Sequence, residues 1–200
     1  MSNVNDTEQK ILDAAKKVFE ASGFNGARMQ HIADEAGISK ASLHYYFRSK
    51  ENLFERIFNE TMEEFMKVVS TWNDASENWE NKLREFVLEF FNFLHTNSLL
   101  FILRELNRNP ELLTKKKPKK KLGFMDYFEN LQEKGIIKNV NIPLMYVFMH
   151  SLCSYPLLNK TIFKRMLRMN ETQFDSFLAE YPNYVADFLI MAIKKSNIKK

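Results

Sequence analysis

Residues 40–46, KASLHYY, crowd an ammonium, a serine hydroxyl, an imidazole and two phenols into seven positions. Arg48 and Lys50 follow at once. Each of these groups donates or accepts hydrogen bonds, and the cations add charge, so the stretch suits recognition of a polar, anionic surface. A different chemistry is suggested by His150 and Cys153, which sit three residues apart and share a helical face. Thiolate and base are the ingredients of nucleophilic catalysis. A productive pair normally comes from different elements, however, and a third group to orient the base is not evident. The expected state of Cys153 is a buried, inert thiol. The four His show no metal-ligand spacing, there is no second Cys, and no Gly-rich phosphate loop occurs. No catalytic residue, metal or cofactor is expected.

These groups must be positioned by helices. Only 5 Gly and 5 Pro occur in 200 residues, 45% are hydrophobic, and the apolar residues recur at helical spacing. The fold class expected is all-α: an N-terminal three-helix domain with a helix-turn-helix, residues 1–48, then a larger helical domain, residues 49–200. The first helix reads as about Thr7 to Ser22, capped by Asp6 with Gln9 completing a capping box, and stopped by Gly23. Short helices follow over about 29–36 and 39–47, the latter capped by Ser39. A longer one, capped by Ser49, runs from Lys50 to about Val69. The polar stretch 73–81 reads as a connection. Amphipathic helices are then expected near 80–97, 98–107, 122–134, 142–158, 160–168 and 171–196, the last broken at Pro182.

Within residues 28–50 the spacing is specific. Ala33 is small, Gly37 comes four residues later, Ile38 and Leu43 are apolar, and Tyr46-Phe47 follow. This is helix-turn-helix spacing: a small residue where helices cross, a glycine free to take the left-handed conformation, and apolar residues that fill the wedge. At about 100° per residue, Leu43 centres the inner face of the third helix, flanked by Tyr46 and Phe47. Ala41 and Tyr45 point outward, flanked by Ser42 and His44. A solvated helical hairpin would also carry a glycine turn, but the local charge agrees with DNA. Residues 28–50 hold four Lys/Arg against two Asp/Glu, whereas residues 1–60 as a whole hold eight against nine. On the outer face Ala41 allows close approach and can touch a thymine methyl. Ser42, His44 and Tyr45 can bond base edges or phosphates. Lys40 and Lys50 offer charge, and the amides near Ser49 form a phosphate site.

Residues 23–54, GFNGARMQHIADEAGISKASLHYYFRSKENLF, resemble the DNA-binding segment of the TetR family of bacterial transcriptional regulators. The resemblance rests on Gly23-Phe24, Ile32-Ala33, Ala36-Gly37-Ile38-Ser39, Tyr46-Phe47 and Ser49-Lys50-Glu51, and covers about residues 8–55. It implies a homodimer that binds double-stranded DNA at an inverted-repeat operator, dimerises through its last two helices, and encloses a pocket for a small-molecule effector. Most such proteins are repressors released from DNA by the ligand. The DNA-binding residues expected are Arg28, Ser39, Lys40, Ala41, Ser42, His44, Tyr45, Tyr46 and Lys50, with Arg28, Tyr46 and Lys50 on phosphates. Two positions depart from the family pattern. Ala27-Arg28 stands where Thr or Ser often caps the second helix, so charge replaces a hydroxyl and the cap is weaker. His44 stands where Tyr is frequent, and contacts a phosphate better when protonated.

The rest of the chain is aromatic: residues 61–200 hold 13 of the 18 Phe. Most must be core, and a cavity for an apolar or aromatic ligand rests mainly on the resemblance. Phe90, Phe128 and Met149 are candidate lining residues. His95, His150, Cys153 and, less strongly, Arg104 are the polar candidates to orient a ligand. The lysine run 115–121, KKKPKKK, reads as a solvated loop, with auxiliary contact to an acidic surface or ligand as the alternative. The single Cys fits a reducing compartment. The N-terminus does not read as a signal peptide and no run is long enough to span a membrane, so a soluble, cytoplasmic protein is expected.

Overall fold

The computed structural model describes residues 2–69, 72, 78–96, 99–112 and 123–195. The fold is all-α: ten helices and one 3₁₀ turn among the described residues, with a lone bridge pairing Ile137 and Lys194. The helices are α1 Ser2–Gly26, α2 Met29–Ala36, α3 Lys40–Tyr46, α4 Lys50–Val69, α5 Trp79–Thr96, α6 Leu99–Arg108, α7 Gly123–Glu133, α8 Ile142–Leu158, α9 Lys160–Met166 and α10 Glu171–Ile193, with the 3₁₀ turn at Pro110–Leu112. No single described helix is long and apolar enough to cross a membrane.

The residues up to Glu64 and those from Phe101 to Leu112 form one compact unit. Its core centres on four phenylalanines. Phe54 on α4 meets Phe19 at 5.9 Å, Phe24 at 5.3 Å and Phe101 at 6.2 Å, ring centre to ring centre. Ile11, Leu12, Ala15, Ile32, Ala33, Leu43 and Ile57 close around them. These are the apolar positions of α1 to α4, joined by Phe101 and Ile102 from a helix far along the chain.

Two expectations for the helix ends are corrected. Helix α1 begins at Ser2, so Asp6 lies inside it and cannot cap it; Gln9 donates to Asp13 at 3.0 Å. The chain does break at Gly23, whose φ of 68° only glycine adopts freely, and one further turn to Gly26 follows. Helix α10 runs unbroken through Pro182. The missing N–H and the ring clash cost about 3 kcal/mol. Burial of Phe174, Leu178, Val185, Ala186, Leu189 and Ile190 on the same helix outweighs that, at about 1.5–3 kcal/mol for each large side chain.

The described residues from Phe65 to Leu100 and from Gly123 to Lys195 form the second unit. Helices α5, α8 and α10 pack on one another in it. Pro156 in α8 deprives the Leu152 carbonyl of its helical donor, and the Tyr181 hydroxyl of α10 donates to that carbonyl at 3.1 Å. Lysines 115–121 and residues 73–77 of the polar connection lie outside the described residues.

Candidate nucleic-acid interface

The geometry of α2 and α3 begins with Gly37. Its φ of 68° turns the chain after α2, and the amides of Gly37 and Ile38 close the helix on Asp34 and Ala33 at 3.1 and 3.0 Å. No atom would crowd a Cβ at Gly37, so its requirement is conformational. Ser39 then caps α3, its hydroxyl accepting from the Ser42 amide at 3.0 Å, and Ser49 caps α4 by accepting from Asn52 at 3.2 Å. Both caps agree with the sequence reading.

The facing of α3 follows the helical wheel. Ala33 and Leu43 are fully buried, Phe47 is nearly so, and Ile38 and Tyr46 pack against the core from its margin. Tyr45 is 84% exposed, its ring edge-on to Tyr46 at 5.4 Å. Ser39, Lys40, Ala41 and His44 are exposed and Ser42 is half-buried. A helix seated by Leu43 therefore presents a small methyl, a hydroxyl, an imidazole and a phenol together. Arg28 is exposed at the N-cap of α2, in extended backbone, and its side chain makes no cap bond, as Ala27-Arg28 led one to expect.

Lys50 lies differently. Its ammonium donates to the carbonyls of Phe24 at 2.9 Å and Ala27 at 3.4 Å, and sits 4.5 Å from the centre of the Phe24 ring. It ties the first residue of α4 to the turn that delivers Arg28. The same turn is gripped from α6. Glu105 is 2% exposed, and its carboxylate accepts the Phe24 amide at 3.0 Å, with Arg108 at 3.4 Å and Arg104 at 3.7 Å. Asn25 donates to Asn109 at 3.0 Å. Sequence reasoning missed Glu105 and Asn109. The available signal was a carboxylate on the apolar stripe of Phe101 and Ile102, where an unpaired charge would be costly.

The proposed ligand residues are divided between the two units. Phe90, Phe128, Met149 and Cys153 are fully buried in the second unit's core. His150 lies among them, 5.6 Å from Phe90 and 6.2 Å from Tyr146, and burial lowers its pKa. Arg104 is exposed on α6 in the first unit, over Phe101 at 5.6 Å. Two clefts occur elsewhere in the second unit: one of about 570 Å³ walled by Trp72, Trp79 and Tyr127, and one of about 430 Å³ that includes His95, Phe91 and Leu178.

Burial pushes the Cys153 thiol up to about 12. At neutral pH roughly one molecule in 10⁵ would carry the thiolate that nucleophilic chemistry needs. Iodoacetamide should therefore leave Cys153 unmodified for hours in the folded protein and label it within minutes in denaturant. Rapid labelling of the native protein would restore a thiol-based reading.

Comparison with known proteins agrees with this geometry. Residues 11–57 match the family model for bacterial regulatory proteins of the tetR family. A probable HTH-type transcriptional regulator, YttP, of Bacillus subtilis is 25% identical over 171 residues, 82% of this chain and 83% of that one. The HTH-type transcriptional regulator RutR of Escherichia coli is 40% identical over 60 residues, 30% of this chain and 28% of that one. A TetR-family transcriptional regulator from Haemophilus influenzae superposes with a TM-score of 0.70 at 18% identity, covering 94% of this chain and 99% of the other. These relatives are regulators rather than enzymes. Residues 11–57 thus carry the DNA-binding segment of the tetR family of bacterial regulatory proteins, and the chain shares the all-α fold of the TetR-family regulators it superposes on.

Proposed function

We propose that the protein is a dimeric repressor that binds an inverted-repeat operator and leaves it when a small apolar or aromatic effector binds. The observation that carries the DNA reading is the outer face of α3. Tyr45 stands 84% exposed beside Ala41, Ser42 and His44 on a helix whose opposite face is locked into the core. A large ring held in water costs solvation, and base-edge contact is the use that its neighbours share. Ser42, His44 and Tyr45 are proposed to read bases, with Lys40 reading or positioning. Arg28 and Tyr46 anchor phosphates, and Ser39 sets the start of the reading helix.

Support for a dimer comes from α8 and α10, which pack on each other. Leu144, Val147, Phe148, Tyr155 and Leu158 on α8, and Tyr184, Phe188 and Met191 on α10, are all exposed large apolar residues. The spacing 184, 188, 191 is that of a helix–helix seam. A patch of this kind on a soluble chain marks a protein interface. Two-fold pairing of these faces would give two reading helices for two half-sites.

The decisive test is fluorescence anisotropy with the DNA upstream of the protein's own gene, against a scrambled duplex at about 0.15 M salt. A preference of about a thousandfold or more is expected. Equal, weak binding there, followed by no enriched sequence in a selection from random duplexes, would overturn the reading. Tyr45→Ala should change the selected sequence. Lys50→Ala distinguishes two roles. With its ammonium committed to Phe24 and Ala27, it should weaken binding to every duplex and leave the salt slope unchanged. A slope reduced by about one would instead place Lys50 on a phosphate.

A further inference from the structure

Pro156 in α8 and Pro182 in α10 each deprive the carbonyl four residues earlier of its helical donor. The two carbonyls meet different fates. That of Leu152 receives the Tyr181 hydroxyl at 3.1 Å. That of Leu178 receives no side-chain donor among the described residues. Leu178 and Pro182 both line the cleft of about 430 Å³ between α5 and α10, a size suited to a small molecule. A backbone acceptor that has lost its helical partner therefore stands at the wall of a cavity. An occupant with an O–H or N–H group would satisfy it.

The rest of the cleft sets the other properties of that occupant. Its floor is apolar: Phe91, Leu178 and Pro182 are buried and Leu88 is half-buried. The Phe91 ring offers stacked or edge-on contact to an aromatic body. Asn92, His95 and Asp175 stand exposed on the rim, and His95 is among the residues expected from sequence to orient a ligand. Asp175 belongs to a network in which Lys160 and Lys164 match Glu171 and Asp175, so the rim favours a neutral occupant. The cleft also lies away from the dimer seam proposed above. Ala179 on its edge and Phe188 in the seam are nine residues apart, about 180° around α10. We propose that the cleft between α5 and α10 binds a neutral phenol, its ring on the apolar floor and its hydroxyl donating to the Leu178 carbonyl. The proposal rests on the effector-responsive reading above and gives the effector a place and a donor group.

Equilibrium dialysis of the full chain against 2-naphthol and 2-methoxynaphthalene tests it. Naphthol should bind saturably and about tenfold more tightly than its methyl ether, which lacks the donor. Pro182→Ala returns an N–H to the Leu178 carbonyl and removes a residue that is unfavourable inside a helix. This variant should bind naphthol no more tightly than the ether. Ala179→Trp, at an exposed position on the edge, should fill the cleft and weaken both probes at least tenfold, with circular dichroism showing an intact helical fold. Equal binding of the two probes by the natural chain, an undiminished preference for naphthol in Pro182→Ala, or undiminished binding in Ala179→Trp overturns the proposal. Operator binding is followed in parallel by anisotropy. Naphthol binding with the expected preference but without loss of DNA would sustain this site and count against ligand-driven release. Release of DNA by naphthol that persists in Ala179→Trp would put the effector elsewhere and overturn this inference.

Discussion

A Phe188→Glu variant is expected to sediment as a monomer at micromolar concentration and to lose operator binding by about three orders of magnitude or more. Phe188 is 55% exposed, between Tyr184 and Met191, each 70% exposed. In a two-fold interface the same patch meets itself, so one substitution introduces two carboxylates into a desolvated seam. Burying them without partners costs several kcal/mol. One reading helix then faces one half-site, and the tethering that makes the second contact intramolecular is gone. Analytical ultracentrifugation and anisotropy check the two parts separately. A variant that stays dimeric would move the interface away from α10.

Phe54→Ala should destabilise the first unit by about 3–5 kcal/mol, the usual cost of deleting a buried phenylalanine. Phe54 is 1% exposed and touches Phe19, Phe24 and Phe101, so its removal leaves three rings facing an empty space. That is a large share of a typical total stability of about 5–15 kcal/mol. Calorimetry should show the melting temperature falling by about 10 °C or more. A fall of only a degree or two would mean that the ring cluster repacks. DNA binding in this variant should survive well below the new transition, because none of the exposed groups of α3 is altered.

Much of the reading unit was legible because its signals are local. Gly37, Ser39 and Ser49 each act within four residues of themselves, and the facing of α3 follows from its own sequence. Local logic failed where distant packing decides. The start of α1 passed Asp6 because a helix can extend past a good cap. Pro182 was tolerated because the helix around it is buried. Glu105 was overlooked because its partner, Phe24, lies 81 residues away. In the second unit, apolar stripes identified Phe90, Phe128 and Met149 as inward-facing, but a stripe cannot tell a filled interior from a hollow one. The cleft beside Trp72 and Trp79 gathers residues from separate elements, and no periodicity announces it.

The return of α6 to the first unit bears on how such a protein can be cut and recombined. Phe101, Ile102 and Glu105 complete the core and the Phe24 turn from the far side of the intervening residues 65–100. A fragment ending after α4 would expose the apolar surface they cover and leave the Phe24 amide without its carboxylate. The reading head is thus a discontinuous module. A chimera that grafts residues 1–64 onto another effector domain inherits a mismatched clasp unless residues 101–112 travel with them.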